Sequence, residues 1–489
     1  MAASAHISAL PTTLLDRIFA ALPHDASGRP SPPQVGLDVL LVCKHWRDVG
    51  SHSLALWATV IFSDGHRPGI DAGAVQRGLE RRRGLVQSVC IEAVRPRLAA
   101  AAPLLLHALA GGVLKTLLLS AVAPAHPGER WAAEVLRAAA ALTTLQQLSL
   151  VGCIRQQQET QVVCLAECCM HFGAAVAELG HLTRLQSLIL SAALPAELPA
   201  ALFSSLTALS ELAISHAGCG NLLPRLPAFA LRALWQLGDL ALGRLSLQAG
   251  GGDAAAAAGD WLPRGLQKLG LKDVRDEAGL VAAALPCLTQ LSALTVHDGE
   301  QGTVVARPLL AALAARVPGA TCMRRLVLLA RLDLGVPLVQ LPELPAGAQM
   351  DLEHLGLEAF CLHPWPTPWL GGGRLRRLAL YACAVDERAF PSLEQCANLQ
   401  ELVLMHMTDA SGLQCWREVP CAVAALTSLT ALHLLGNAIM ELPEGPYLAH
   451  LRILDLEVRC ASASLPDAAP CPLPLLRAAG AGRVQQVLP

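Results

Sequence analysis

The chain has 489 residues, 53% of them hydrophobic and only 3% aromatic, and its charges nearly cancel to a net −2. That balance lacks the basic footprint of a nucleic-acid binder, and the length allows either several domains or one repetitive array. Lysine occurs only at positions 44, 115, 268 and 272, and the 16 cysteines follow no disulfide spacing, so the thiols read as reduced small residues of an intracellular, cytoplasmic and/or nuclear chain.

The first nineteen residues, MAASAHISALPTTLLDRIF, have no basic start followed by an apolar core, so they are not read as a secretory signal. After Leu10-Pro11, the side chains of Leu14, Leu15, Ile18, Phe19 and Leu22 form one face of a short amphipathic helix. A Pro/Gly/Ser-rich break, HDASGRPSPPQVG, precedes a second apolar-periodic stretch, LDVLLVCKHWRDVG. Trp46 and Trp57 then fall eleven residues apart in a chain with 8 Trp. In order, Leu10-Pro11, Leu14-Leu15, Ile18-Phe19, Val42-Cys43-Lys44, Trp46-Arg47 and Leu56-Trp57 resemble an F-box, over residues 8–62.

The resemblance implies a small three-helix module that binds the Skp-type adaptor of a cullin-RING ubiquitin ligase. Its adaptor or core positions here are Leu10, Pro11, Leu14, Ile18, Phe19, Val42, Cys43, Trp46, Leu56 and Trp57. The linker between Leu22 and Val42 is longer and richer in Pro than in that family. Trp46 reads as a partner anchor, because buried Trp dominates interfaces. Trp57 fits an adaptor contact or a plug against the first repeat equally well.

From residue 80 to 460 the pattern Leu-x-x-Leu-x-Leu recurs, beginning with a degenerate VQSVCI at 86 and ending with LRILDL at 451. About fourteen copies, 22 to 40 residues apart, each predict one strand, with the fourth and sixth positions inward and the third, fifth and seventh outward. The ninth position is Cys153, Cys383 or Asn437 in three copies. This resembles the leucine-rich repeat, in which that residue bonds the turning backbone. It implies an α/β solenoid with a curved parallel sheet on its concave side and helices or irregular segments on its convex side. Other ninth positions, such as Ala193, Gly299 and Arg331, depart from the family pattern.

Between strands, AAEVLRAAAAL at 132–142 predicts a convex helix. LAAAAPLLLHALAGGVL at 98–114 is near membrane-spanning length but carries Pro103 and His107, and the repeat register makes it a convex segment, not a membrane span. GGGDAAAAAGD at 250–260, HPWPTPWLGGG at 363–373 and the interval around IRQQQETQVV read as loops without packed elements. Residues 461–489 read as a cap followed by a poorly ordered end.

No catalytic motif is found: Leu114 precedes Lys115-Thr116 where a phosphate loop needs Gly, and Cys164, Cys168, Cys169 and His171 lack zinc-finger spacing. The chain is therefore expected to be a non-catalytic adaptor without cofactor or metal, binding neither nucleic acid nor membrane. An F-box followed by leucine-rich repeats implies a substrate receptor of an SCF-type ligase, acting by effective concentration. Its client would meet outward positions of the C-terminal half: Arg325, His354, Glu358, Arg377, Tyr381, Glu401, Met405, His433, Asp455 and Glu457. The first half offers smaller groups such as Ser187, Ile189, Ser191, Ala213 and Ala241. Asp455 and Glu457 make an acidic patch or an ordinary solvated strand face. One competing reading is a repeat scaffold or GTPase regulator whose N-terminal helices act as a cap. Another, a co-receptor holding an inositol polyphosphate, needs a basic cluster that Lys268, Lys272, Arg325 and Arg377 are too dispersed to supply.

Overall fold

The computed structural model describes residues 11, 13–15, 52–53, 57–63, 72–93, 96–121, 129–151, 174–192, 194–217, 223–249, 260–298, 307–316, 322–330, 338–345, 349–363, 367–370, 373–385, 393, 395–409, 416–439, 442–458 and 482–487. They fall into two compact units, 1–250 and 251–489.

In the first unit, β1 (Thr59–Ser63), β2 (Ser88–Ala93), β3 (Thr116–Ala121), β4 (Gln147–Val151), β5 (Ser187–Ala192), β6 (Glu211–His216) and β8 (Asp239–Gly243) pair in parallel, each with the next. Two short strands, β7 (Arg225–Pro227) and β9 (Ser246–Gln248), make a separate parallel pair. The sheet starts with β1, one strand before the first sequence repeat and within the stretch that resembles an F-box. Return paths carry helices α1 (Ala72–Arg82), α2 (Pro96–Ala108), α3 (Glu129–Ala140) and α4 (Ala200–Ser205). Helix α2 is the near-membrane-length stretch, and as expected it leads through a turn into β3. Among the described residues no helix is long and apolar enough to cross a membrane.

The second unit pairs β10 (Lys268–Lys272), β11 (Ala293–His297), β12 (Arg325–Leu329), β14 (His354–Glu358), β16 (Arg377–Tyr381), β17 (Glu401–Met405), β18 (Ala431–His433) and β19 (Ile453–Val458) in parallel. Beside them lie a short parallel pair, β13 (Val339–Gln340) and β15 (Phe360–Cys361), and helices α5 (Leu280–Ala284), α6 (Arg307–Arg316) and α7 (Thr367–Leu370). The tail supplies β20 (Gly482–Val487), which pairs antiparallel with the last parallel strand, β19.

All fourteen sequence repeats are strands, and the alternation follows the expected faces except in β19, where the inward Leu454 and Leu456 are half-buried and the outward Asp455 is buried. In β12 the inward Leu326 and Leu328 are fully buried, while Arg325 is exposed and Val327 and Leu329 half-buried. A single repeat cannot cover its own leucines, so burial comes from stacking on neighbours. Asn437 behaves as the leucine-rich pattern implies. It is 1% exposed, accepts the Met407 N–H at 2.8 Å, and donates to the Leu404 and Leu434 carbonyls at 2.7 and 3.0 Å. Cys383 holds the same place with weaker thiol bonds to the Leu357 and Tyr381 carbonyls, and burial pushes its thiol up to about 12.

The eighth position carries a signal absent from the sequence reading. Arg244, Asp273, Ala359, Ala382, His406 and Gly436 all adopt left-handed backbone, with φ between 47° and 72°. This turn lets the eighth N–H keep the ladder: Ala359 donates to the Tyr381 carbonyl at 3.0 Å and Ala382 to that of Met405 at 2.8 Å. Of these six, only Gly436 adopts it without a Cβ penalty.

One expected loop is packed. Within HPWPTPWLGGG, Thr367–Leu370 form a helical turn whose Trp369 is 1% exposed and donates its indole N–H to the Pro342 carbonyl at 3.0 Å. A large apolar ring with one satisfied donor outweighs the turn-forming composition around it. The stretch 250–259, most of the IRQQQETQVV interval, Cys153, Cys164, Cys168, Cys169 and His171, and Ala193, Gly299 and Arg331 lie outside the described residues.

Candidate protein-binding face

Strand register arranges the outward side chains of the second unit in three rows. The third-position row runs Lys268, Ala293, Arg325, His354, Arg377, Glu401, Ala431, Ile453. The fifth-position row is Gly270, Thr295, Val327, Gly356, Ala379, Val403, His433, Asp455, and the seventh includes His297, Leu329, Glu358, Tyr381 and Met405. Thus the proposed client residues share one face and are neighbours across strands.

The middle row forms a trough. Gly356, Ala379 and Val403 point outward yet are buried, because they are small and lie between rows of longer, half-buried side chains. A Cβ at Gly356 would lie 3.2 Å from Val327 Cγ1, so Val327 leans over the glycine at one end. At the other end a polar chain crosses four strands. Arg377 Nη1 lies 3.1 Å from Glu401 Oε2, His433 Nε2 4.0 Å from Glu401 Oε1, and His433 Nδ1 3.5 Å from Asp455 Oδ2.

The expected solvated Asp455–Glu457 face does not hold for Asp455, which is 2% exposed. Its strand is not the sheet edge: β20 pairs beyond it, placing Gln485 opposite Asp455 and Arg483 opposite Glu457 in register. Glu457 is placed by register alone.

Charge on this face is tuned by burial. His354 is pushed down to about 4, first by burial and then by the Arg325 and Arg377 charges. It is therefore neutral near pH 7. Burial raises the Glu358 carboxyl, and His297 and His406 partly offset that. The basic residues are less dispersed than the sequence spacing indicates, since Lys268, Arg325 and Arg377 occupy one row at two-strand intervals. The first unit's face differs: its middle row is Ile61, Cys90, Leu118, Ser149, Ile189, Ala213 and Ala241, with no charged residue. Among the described residues no three His, Cys, Asp or Glu side chains are grouped to hold a metal ion.

At the N-terminus, residues 13–15 are helical; Leu14 is 42% exposed while Leu15 is fully buried. Pro11 is exposed, and its carbonyl accepts the N–H groups of Leu14 and Leu15 at 3.0 Å. The Arg82 guanidinium sits 4.2 Å from the Trp57 ring centroid, so Trp57 packs on the end of α1. Leu10, Ile18, Phe19, Val42, Cys43, Trp46 and Leu56 lie outside the described residues.

The strands, their register and the buried leucine ladder define a leucine-rich-repeat-like α/β fold. No protein-family model and no curated protein matches the chain. Among solved structures it is similar to a chain of the Toll–Spatzle complex from Drosophila, at 15% identity and a TM-score of 0.35. That similarity covers 73% of this chain and 39% of the other, so it spans well under half of that chain's length.

Proposed function

We propose that this protein is the client-binding subunit of an SCF-type cullin-RING ubiquitin ligase. Residues 8–62 would bind a Skp-type adaptor, and the trough face of the second unit would bind the client protein. The observation that carries the adaptor half is the ordered series Leu10-Pro11, Leu14-Leu15, Ile18-Phe19, Val42-Cys43, Trp46 and Leu56-Trp57. An exposed Leu14 beside a buried Leu15 supports it, since an apolar side chain left in water on a helical turn is available to a partner. The client half rests on the trough: a floor of small residues between rows carrying Arg, His, Tyr and Met accommodates a chain segment and reads its side chains.

On this reading the protein supplies no reacting group. It holds client and ligase together, converting a bimolecular encounter into a local one. Co-purification with a Skp adaptor and cullin tests it, using wild type and a Leu14→Asp, Trp46→Ala double variant. Wild type should recover the adaptor and the variant should lose it. No recovery by wild type overturns the ligase reading; equal recovery by both overturns the assigned interface.

A further inference from the structure

On the trough face, Arg325, His354 and Arg377 are cross-strand neighbours in one row. Parallel strands stand about 4.8 Å apart, so the two Arg Cα atoms are about 10 Å apart with the shorter His between them. Two guanidinium groups on longer stems can therefore converge above the imidazole. Arg325 is exposed, its row neighbours are Ala293 and His354, and among the described residues no carboxylate pairs with it. Arg377 is only partly used: Glu401 takes Nη1 at 3.1 Å, and Nε meets no acceptor. Carboxylates on neighbouring positions are Glu401 on β17, paired with Arg377, and Glu358 on His354's own strand, whose charge His297 and His406 favour against its burial. Burial first, and then the two Arg charges, hold His354 neutral. The two Arg charges thus add to burial in keeping the imidazole neutral, and the exposed Arg325 guanidinium has no paired carboxylate among the described residues.

We propose that Arg325, His354 and Arg377 form an oxyanion-binding subsite that takes a carboxylate or phosphate group carried by a side chain of the bound protein. Guanidinium forks suit planar carboxylates and tetrahedral phosphates through paired charge-assisted bonds, and a neutral imidazole adds one N–H donor. Only the source of the anion rests on the client-binding reading above.

The test is an NMR titration of the full chain with inorganic phosphate and, separately, with acetate. The readout is the His354 ring Hε1 resonance, assigned by its loss in His354→Gln. Phosphate, acetate or both should shift it saturably, while sodium chloride at matched ionic strength should not. Arg325→Gln should weaken the response at least tenfold at unchanged Tm, because Arg325 is exposed and holds no buried partner; Arg377→Gln should weaken it as well, with some loss of Tm because its pair with Glu401 goes. Saturation by acetate assigns a carboxylate, and saturation by phosphate alone assigns a phosphate group. No saturation by either anion, or Arg325→Gln responding as wild type does, overturns the proposal. The titration needs neither adaptor nor client, so a failed co-purification and a failed titration are separate results.

Discussion

Replacing Asn437 by Ala probes the polar turn of the repeat that keeps the ninth-position Asn. Its amide accepts one backbone N–H and donates to two carbonyls, all between 2.7 and 3.0 Å, at 1% exposure. Each such bond contributes about 1 kcal/mol net, so removing the amide should cost about 3 kcal/mol. Repeat arrays unfold partly repeat by repeat, so the loss should be local. Hydrogen exchange at the Met407 amide, which loses its acceptor directly, should accelerate by about two decades, since about 1.4 kcal/mol is tenfold. Exchange in β3, in the other unit, should stay as it is. Asn437→Cys, which copies the residue at Cys383, should fall between wild type and Ala, because a thiol keeps only a weak donor and a weak acceptor. A change below threefold at Met407 would refute the reasoning, showing that water or a backbone shift replaces the amide at no net cost.

Gly436→Ala should destabilise the same region by about 2–4 kcal/mol in urea denaturation. The new Cβ would sit 2.1 Å from His406 Nδ1, at a φ of +72°. His406→Ala in the same chain should recover most of the loss, and no recovery would locate the cost in the backbone alone. Stability should also fall as pH drops from about 6.5 to about 4, through His216. This ring is 8% exposed, its Nδ1 accepts the Leu194 N–H at 3.1 Å, and burial with Arg244 nearby pushes it down to about 4. A folded value below the unfolded one means that its contribution is fully present above about pH 6.5 and is lost toward pH 4. The shift corresponds to an upper bound of about 3 kcal/mol. His216→Asn keeps an acceptor and does not titrate, so it should flatten that part of a pH-dependent melting curve; an unchanged slope would assign the acid loss elsewhere.

The leucine ladder made the strands and their faces legible because a period of two and a repeat of 22 to 40 residues turn the fourth and sixth positions of every copy to one side, where stacked neighbours can cover them. The rest depended on contacts that periodicity does not encode. Trp369 sits in a Pro/Gly-rich stretch, and its burial follows from a carbonyl contributed by Pro342 in the preceding loop. Asp455 has an outward register, yet it is buried beside His433, and its strand is flanked by an antiparallel strand from the tail that no repeat pattern announces. Arg325 and Arg377 look remote at 52 positions apart, yet parallel stacking ignores return-path length and puts them two strands apart. The left-handed eighth position was hidden because Arg, Asp, Ala and His occupy it as well as Gly.

The left-handed eighth position gives several repeats a common joint. At Ala359 and Ala382 the backbone enters the same conformation with the same onward hydrogen bond to the next seventh-position carbonyl. A cut after one and a join after the other therefore connects like to like, and the segment removed is one repeat. Chain length in this half can change by whole repeats without a new turn having to be invented. Losing that segment would take Arg377 with it and bring Glu401 beside His354, while duplicating it would set a second Arg in the row. A single exchange of this kind alters the charge that the face presents while keeping the joint, although deletion also removes Trp369 and its bond to the Pro342 carbonyl.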